Sequence, residues 1–225
     1  MAAWKNTLVY AVGTTGALVV FPFFMAVLVN QKLYGMQVYR AIYYLPVVIS
    51  LVIIAIAFKM IYVRNGILNY VLDLIGLARL ETSWLANRRT ALPALMTVTV
   101  WHMAGYYMMI YYAGLKGVPS ELYDAAKVDG ASGWQCTRYV TLPCIRPYVT
   151  VVAVVALIGS LKIFAEVYVM TQGGPAGGTE VLNYLMYTSA FEYLQLGYSA
   201  TMAIVLLLIT LLLSMLTMRV LERRV

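Results

Sequence analysis

The sequence is poor in charge, cysteine and histidine. Charged residues account for 11% of its 225 residues, whereas hydrophobic residues account for 63%, and the mean hydropathy is +0.81. A globular domain in water needs a larger polar surface than this composition supplies. The composition therefore excludes a water-soluble domain and indicates a protein embedded in lipid.

Three kinds of functional site are also excluded by what is missing. Cys136 and Cys144 lie eight positions apart without a Cys-x-x-Cys pair, and His102 is the only histidine, so we expect free thiols and no metal site. No Gly-x-x-x-x-Gly-Lys-Ser/Thr loop is present to hold phosphates, so this chain is not expected to hydrolyse ATP itself. The net charge of +7 comes from basic residues dispersed among short segments, which argues against a nucleic-acid partner.

Long runs with little charge make up most of the sequence. A helix needs roughly 20 apolar residues to cross the hydrocarbon core of a bilayer. Five runs meet this length: Thr7–Val29, Ala41–Val63, the run between Arg89 and Lys116, Tyr148–Val169, and the run between Glu192 and Arg219. The sequence therefore predicts an all-α integral membrane protein with about five transmembrane helices, forming one domain over residues 1–225.

The distribution of basic residues predicts the orientation of these helices. If the segment between the third and fourth runs is cytoplasmic, nine of the sixteen Lys and Arg residues lie inside, and the loop 171–198 outside contains none. Positive residues are enriched on the cytoplasmic side of membrane proteins. The loop 64–89 opposes this count, but the balance favours a cytoplasmic C-terminus and an N-terminus outside.

One polar segment interrupts the apolar sequence between the third and fourth runs. Residues 124–126 read Asp-Ala-Ala, Gly130 follows after three residues, and residues 140–143 read Val-Thr-Leu-Pro after nine more. This order and spacing resemble the EAA loop of permease subunits in ATP-binding-cassette (ABC) importers, with the pattern Glu-Ala-Ala, three residues, Gly, nine residues and Ile-x-Leu-Pro. Asp124 replaces the usual Glu and Val140 the usual Ile, which preserves charge and shape.

The resemblance extends across nearly the whole chain. Four other stretches look like the carbohydrate branch of these permeases, the maltose and glycerol-phosphate types: WLANRRTALPALMTVTVW, AGLKGVPSELYDAA, MTQGGPAGGTEVLNYLMYTSAF and GYSATMAIVLLLITLLLSMLTMR. The Gly-Gly-Pro segment is characteristic of a subunit that pairs with a second, related permease. In that family one helix precedes the stretch matched here. We therefore expect the type I importer permease core without its first helix.

The residues of the polar segment are consistent with a docking helix. Pro119 and Ser120 favour a helix start with Ser120 as its N-cap, Glu121 and Asp124 suit the positive N-terminal end, and Gly130 ends or bends the helix. By spacing alone, an ordinary loop between two helices is the favoured interpretation. The resemblance implies a cytoplasmic coupling loop over residues 116–147 that seats in a cleft of the ATPase subunit. The residues implied to couple are Glu121, Asp124, Ala125, Ala126, Asp129, Gly130, Ala131, Val140, Leu142 and Pro143.

Three groups of residues are candidates for the substrate path. Lys162 and Glu166 lie four positions apart, so in one helix they share a face; they either line the path and bind sugar hydroxyls, or satisfy each other near the outer interface. Tyr106 belongs to a set of tyrosines suited to stacking on sugar rings. Gly173, Gly174 and Pro175 form either an outer loop near the path, where a binding protein is met, or a tight connector.

The resemblance implies a function and a set of partners. It implies a permease subunit in a bacterial or archaeal plasma membrane that imports a sugar or similar polar solute. The implied partners are a second permease, two ATPase subunits that bind ATP and Mg²⁺, and an extracytoplasmic solute-binding protein. Two alternatives remain. A secondary transporter driven by an ion gradient would work without ATP, and a membrane-embedded enzyme would need converging catalytic groups that this sequence does not supply.

Overall fold

The structure, a computed structural model, describes residues 2–31, 34–80 and 82–222, which contain helices and no strand. Three helices follow predicted spans without interruption: α1 (Ala2–Val29), α5 (Ala91–Lys116) and α12 (Leu196–Glu222). Their 28, 26 and 27 residues correspond to about 40 Å at 1.5 Å per residue. The first, third and fifth predicted spans are therefore long enough to cross a bilayer.

The predicted spans differ in how apolar they are. In the described residues, α1 and α12 are apolar enough to qualify as membrane spans on their own, and two bent helix pairs raise that number to four. Helix α5 contains polar and aromatic residues such as Thr99, His102 and Tyr107, and one face of it is buried against other helices. A helix surrounded by protein needs less apolar surface than one surrounded by lipid.

The second predicted span is not one helix. It consists of α2 (Met36–Val48) and α3 (Leu51–Ile61), whose axes are bent by 95°. Ile49 and Ser50 lie between them with ψ angles of 138° and 130°, which are extended values. Two consecutive extended residues end the helical hydrogen bonding, and the prediction of a continuous helix over Ala41–Val63 is wrong.

The fourth predicted span is also broken. Helix α9 (Arg146–Leu161) ends before Lys162, and α10 (Ala165–Met170) begins after Phe164, which has φ −147° and ψ −57°. The prediction of a continuous helix over Tyr148–Val169 is therefore wrong. At its other end, α9 is bent by 72° from the segment 133–144 that precedes it.

Short helices connect these spans. The helix α4 (Ile67–Leu74) lies between α3 and α5, and α11 (Leu182–Tyr187) lies between α10 and α12. The polar segment contains α6 (Ser120–Val128), α7 (Gly133–Cys136) and α8 (Leu142–Cys144). One π-helical turn, residues 137–141, joins α7 to α8, and another, residues 188–192, follows α11.

The core lies where α1 packs against α5 and α9. One cluster of buried side chains surrounds Met108, Tyr111 and Ile145, and a second surrounds Tyr10, Leu95 and Val167. Helices α1 and α5 run in the same direction, because Tyr10 bonds to Thr99 and the hydroxyl of Tyr111 donates to the carbonyl of Val19. The C-terminal ends of α1 and α5 therefore lie on the same side of the bundle.

Candidate functional site

The polar segment, residues 116–147, projects from the bundle as an exposed helix followed by a short helical turn. None of the residues of α6 is buried, and an ion pair joins Lys127 Nζ to Asp124 Oδ1 at 3.2 Å between well-exposed side chains. Such a surface pair contributes little to stability. The exposed position of α6 leaves its side chains available to a partner.

The helix α6 ends at a turn that needs glycine. Gly130 has φ +78°, and its amide donates to the carbonyl of Lys127 while the amide of Ala131 donates to the carbonyl of Ala126. An L-residue with a side chain rarely adopts this φ, so the spacing between Ala126 and Gly130 reflects a helix of defined length followed by a left-handed residue. Glu121, Asp124, Ala125 and Asp129 are exposed around it.

The start of α7 depends on two residues that the sequence analysis did not single out. The side chain of Ser132 accepts from the amide of Gln135, and Gln135 Oε1 accepts from the amide of Ser132 at 2.7 Å. This capping box starts α7, and the Ser-x-x-Gln pattern was a signal for it. Ser120, by contrast, is the first residue of α6 and makes no side-chain cap, so its expected N-cap role is wrong.

One contact holds the segment together, and one buried residue anchors it to the core. The hydroxyl groups of Tyr123 and Thr141 lie 3.0 Å apart, which links α6 to the turn before α8. Ile145, two residues after Pro143, is completely buried in the core beside Tyr111. Val140 is half-buried and Leu142 is exposed. The helix α6 is therefore joined to the core through a short, hydrogen-bonded connection.

A second site lies at the break in the fourth span. A partly open cavity of about 320 Å³, named here the polar cavity, lies among α1, α3, α5 and the break between α9 and α10. Its polar lining residues are Thr99, His102, Tyr107, Ser160, Lys162 and Glu166. Charged and polar groups inside a membrane bundle are costly and mark paths for polar solutes or ions.

The two charges at the break do not form the pair that their spacing allowed. Glu166 is buried, with 5% of its surface exposed, and its Oε1 accepts a hydrogen bond of 2.7 Å from Thr99. Lys162 is exposed, and no ion pair with Glu166 exists in the described part of the chain. Because the helix ends between them, the i to i+4 geometry is lost. The expectation of a mutually satisfied pair is wrong.

The polar cavity is lined by His102 and Tyr107, and not by Tyr106, which the sequence named as a candidate for the substrate path. Tyr107 lines the polar cavity, whereas Tyr106 is not among its lining residues and packs edge-on against Tyr107. His102 is 8% exposed, and its Nε2 has no hydrogen-bond partner in the described residues. The sequence indicated only that a lone histidine does not form a metal site, whereas the unpaired nitrogen of His102 beside a polar cavity is a functional signal.

The Gly-Gly-Pro segment forms a tightly bonded turn away from the polar cavity. Thr179 Oγ1 donates to the carbonyl of Gly174 at 2.6 Å, and Asn6 Nδ2 donates to the carbonyls of Gly177 and Glu180, both at 2.9 Å. Gly173 adopts φ +78° beside the ring of Tyr184. Gly174 and Pro175 line a separate cavity of about 470 Å³, together with the cationic side chains of Lys59 and Arg64. The turn is therefore anchored to the start of α1.

Comparison with known proteins agrees with this architecture. Residues 18–225 match the family described as "Binding-protein-dependent transport system inner membrane component". The chain is 36% identical over 220 residues to the "Probable ABC transporter permease protein YurN" of Bacillus subtilis (strain 168), covering 96% of this chain and 75% of that protein. It is 38% identical over 180 residues to the "Diacetylchitobiose uptake system permease protein NgcF" of Streptomyces coelicolor, covering 79% of this chain and 51% of NgcF.

A solved structure supports the same assignment. The chain is similar to one in the crystal structure of a bacterial alginate ABC transporter in complex with an alginate pentasaccharide-bound periplasmic protein. The TM-score is 0.80 and the identity 26%, and the match covers 96% of this chain and 76% of that one. The resemblance inferred from the polar segment is confirmed. The chain belongs to the binding-protein-dependent transport system inner membrane component family, as a multi-pass membrane permease of an ABC importer.

Proposed function

We propose that this permease imports a carbohydrate and that the polar cavity forms part of the solute path. The observation that carries the proposal is the buried Nε2 of His102, which lines the cavity and lacks a hydrogen-bond partner in the described residues. Leaving such a group unpaired costs about 1–3 kcal/mol. A solute hydroxyl group entering the cavity satisfies it.

Two comparisons support a carbohydrate over other polar solutes. The name of NgcF describes uptake of diacetylchitobiose, and the similar transporter structure contains a protein loaded with an alginate pentasaccharide. The cavity chemistry is compatible with sugars, since Lys162 and Ser160 supply hydrogen-bond donors and Tyr107 supplies an aromatic ring. Lys162 and Phe164 also line a larger groove of about 850 Å³ beside α12. These two residues therefore lie between the polar cavity and that groove.

The polar segment is proposed to be the ATPase coupling loop, within a single permease domain spanning residues 1–225. Its large apolar side chains are strongly exposed: Leu122 by 44%, Val128 by 87%, Trp134 by 63% and Tyr139 by 68%. Apolar patches of this kind outside the lipid mark contacts with a partner protein. We assign ATP and Mg²⁺ to two partner ATPase subunits and none to this chain.

The proposed orientation has the coupling loop and the C-terminus in the cytoplasm. The positive-inside count supports it, because Lys116, Lys127, Arg138, Arg146 and Arg219 belong to the segments on that side. The N-terminal end of α1 and the Gly-Gly-Pro turn then face outward. A solute-binding protein docks on that outer side, and a second, related permease completes the path.

The mechanism follows from the two sites and their connection. Closure of the ATPase dimer pulls on α6, and the buried Ile145 transmits the movement to α9, whose far end forms the wall of the polar cavity. Opening and closing the cavity on alternate sides requires two arrangements of the helices. The break at residues 162–164 is a joint at which α9 and α10 change their angle.

Reconstitution tests the proposal. The tagged chain is purified in mild detergent with its co-purifying subunits, placed in liposomes, and supplied with labelled oligosaccharides and the binding protein encoded with it. We expect uptake that requires ATP and that is lost with His102→Leu while ATP hydrolysis persists. Uptake driven by an ion gradient without ATP would support the secondary transporter instead, and absence of any ATPase in the purified sample would contradict the coupling assignment.

A further inference from the structure

The side chain of Asn183 bonds to two backbone carbonyl groups at the break in the fourth span. In a continuous helix the carbonyl of Leu161 would accept from the amide four residues later, but α9 ends there. No backbone amide among the described residues donates to the carbonyl of Leu161 or of Ile163. Asn183 Nδ2 donates to both, at 3.3 Å and 3.2 Å. A side-chain amide nitrogen has two protons, one for each of these carbonyls.

These two carbonyl groups belong to the residues immediately before and after Lys162. The amide of Lys162 itself donates to the carbonyls of Ile158 and Gly159 in the last turn of α9. Its side chain is exposed and pairs with no carboxylate in the described residues. The position of the Lys162 ammonium group therefore depends on its backbone, and Asn183 holds that backbone on both sides.

Asn183 is itself held in place by α1. It is the second residue of α11, whose first residue, Leu182, is completely buried and donates its amide to Thr7 Oγ1 at 2.9 Å. Thr7 lies in α1 and is also buried. Asn183 thus extends from a fixed helix start toward the break. Together with Lys162 it lines the groove of about 850 Å³ beside α12.

We propose that Asn183 is a positioning residue for Lys162 and thereby determines how tightly the solute is bound. By bonding to the carbonyls of Leu161 and Ile163, it fixes the ammonium group at the boundary between the polar cavity and the groove. Without Asn183 these carbonyls turn toward other donors, because a buried acceptor without a partner is costly, and Lys162 moves with them. The proposal rests on the assignment of the polar cavity to the solute path.

A double-mutant cycle in the reconstituted complex tests whether Asn183 acts through Lys162. The KM for uptake of a labelled oligosaccharide is measured for wild type, Asn183→Ala, Lys162→Met and the double variant. We expect Lys162→Met to raise the KM about tenfold or more, and Asn183→Ala to raise it by up to the same factor. The double variant should have the KM of Lys162→Met alone, because no ammonium group is left to position. Asn183→Gln, which keeps an amide donor, should fall between wild type and Asn183→Ala.

Hydrogen exchange measured on the same complex does not depend on the solute. In Asn183→Ala the amides of residues 162–168 are expected to exchange faster than in wild type, since the backbone at the break has lost two hydrogen bonds. Asn69→Ala is the matched control, because Asn69 Nδ2 also donates to two backbone carbonyls, those of Arg64 and Thr82, at 2.8 Å and 2.9 Å. Asn69 does not line the polar cavity. Its replacement should lower the unfolding temperature without changing the KM or the exchange of residues 162–168.

The proposal is overturned if the effects of Asn183→Ala and Lys162→Met multiply in the double variant, because Asn183 then acts independently of Lys162. It is also overturned if exchange of residues 162–168 is unchanged in Asn183→Ala, or if Asn69→Ala raises the KM as much. An effect of Lys162→Met without one of Asn183→Ala contradicts this proposal alone. If Lys162→Met leaves the KM unchanged, the assignment of Lys162 to the solute path is wrong, and the role of Asn183 is rejected with it.

Discussion

The hydroxyl group of Thr99 donates a hydrogen bond of 2.7 Å to Oε1 of Glu166, joining α5 to α10 beside the break in the fourth span. Thr99 has a single hydroxyl proton, so the hydroxyl of Tyr10, 2.6 Å away, is the donor in the other bond. Two consecutive hydrogen bonds therefore run from Tyr10 on α1 through Thr99 on α5 to Glu166 on α10. They hold the buried carboxyl group without any help from Lys162.

These two hydrogen bonds predict that Thr99→Val destabilises the protein. The substitution nearly preserves volume but leaves the buried Tyr10 hydroxyl and the Glu166 carboxyl without their partner, at a cost of about 1–3 kcal/mol. Thermal unfolding of the purified protein in detergent measures the loss. Thr97→Val is the control, because the exposed Thr97 hydroxyl bonds only to Pro93 of its own helix. Equal effects of the two substitutions would show that the hydrogen bonds of Thr99 to Tyr10 and Glu166 contribute nothing specific to stability.

Lys162 is predicted to affect the solute and not the fold. It is exposed, lines the polar cavity and pairs with no carboxylate in the described residues. Losing a hydrogen bond from a charged donor to a solute hydroxyl costs about 1.5–3 kcal/mol, so Lys162→Met should raise the KM for uptake about tenfold or more. Its unfolding temperature should equal that of wild type. A lower unfolding temperature with unchanged KM would assign Lys162 a structural role.

The end of α6 predicts a coupling defect for Gly130→Ala. The φ of +78° costs a residue with a side chain about 1–2 kcal/mol, so the substitution strains the turn that orients α6. We expect less ATPase subunit to co-purify and weaker stimulation of ATP hydrolysis by the loaded binding protein. Gly133→Ala is the matched control, since Gly133 lies in the same segment, has no positive φ, and has open space around its Cα. A coupling defect of equal size in the control would contradict this explanation.

Close packing of α2 on α5 predicts that Gly105→Ala is poorly tolerated. A Cβ atom at Gly105 would overlap the carbonyl group of Tyr43 and lie 2.9 Å from Cα of Tyr44, and backbone atoms cannot move aside as a flexible side chain does. Overpacking typically costs about 1–3 kcal/mol, and we expect the upper part of that range here. Gly16→Ala on α1, where a Cβ meets nothing within 4 Å, should be neutral. Unfolding midpoints of the two variants distinguish them.

Several features of the candidate site were accessible from local patterns. The spacing from Asp124 to Pro143 predicted a short helix, a glycine turn and a return to the bundle, and the structure contains each of them. The same spacing identified the family, which the comparisons confirm. The assignment of these residues to ATPase coupling stays a prediction. Lys162 and Glu166 both line the polar cavity, but their mutual pairing was a wrong alternative because α9 ends between them. Tyr106 was misplaced because the rotation of α5 in the bundle turns Tyr107 toward the cavity.

By itself, the sequence determined that the solvent is lipid, approximately where each span lies, and which family the chain belongs to. These properties depend on hydropathy summed over neighbouring residues and on spacing within one segment, so no long-range contact is needed to recognise them. Only the tertiary structure decided that the second and fourth spans are broken, that Glu166 is held by Thr99, 67 residues away in the chain, and that Asn183 bonds to the carbonyls on either side of Lys162. Such contacts join residues whose separation in sequence carries no periodic signal. They exist because the helices pack, and packing satisfies buried polar groups with whichever partners the fold brings near.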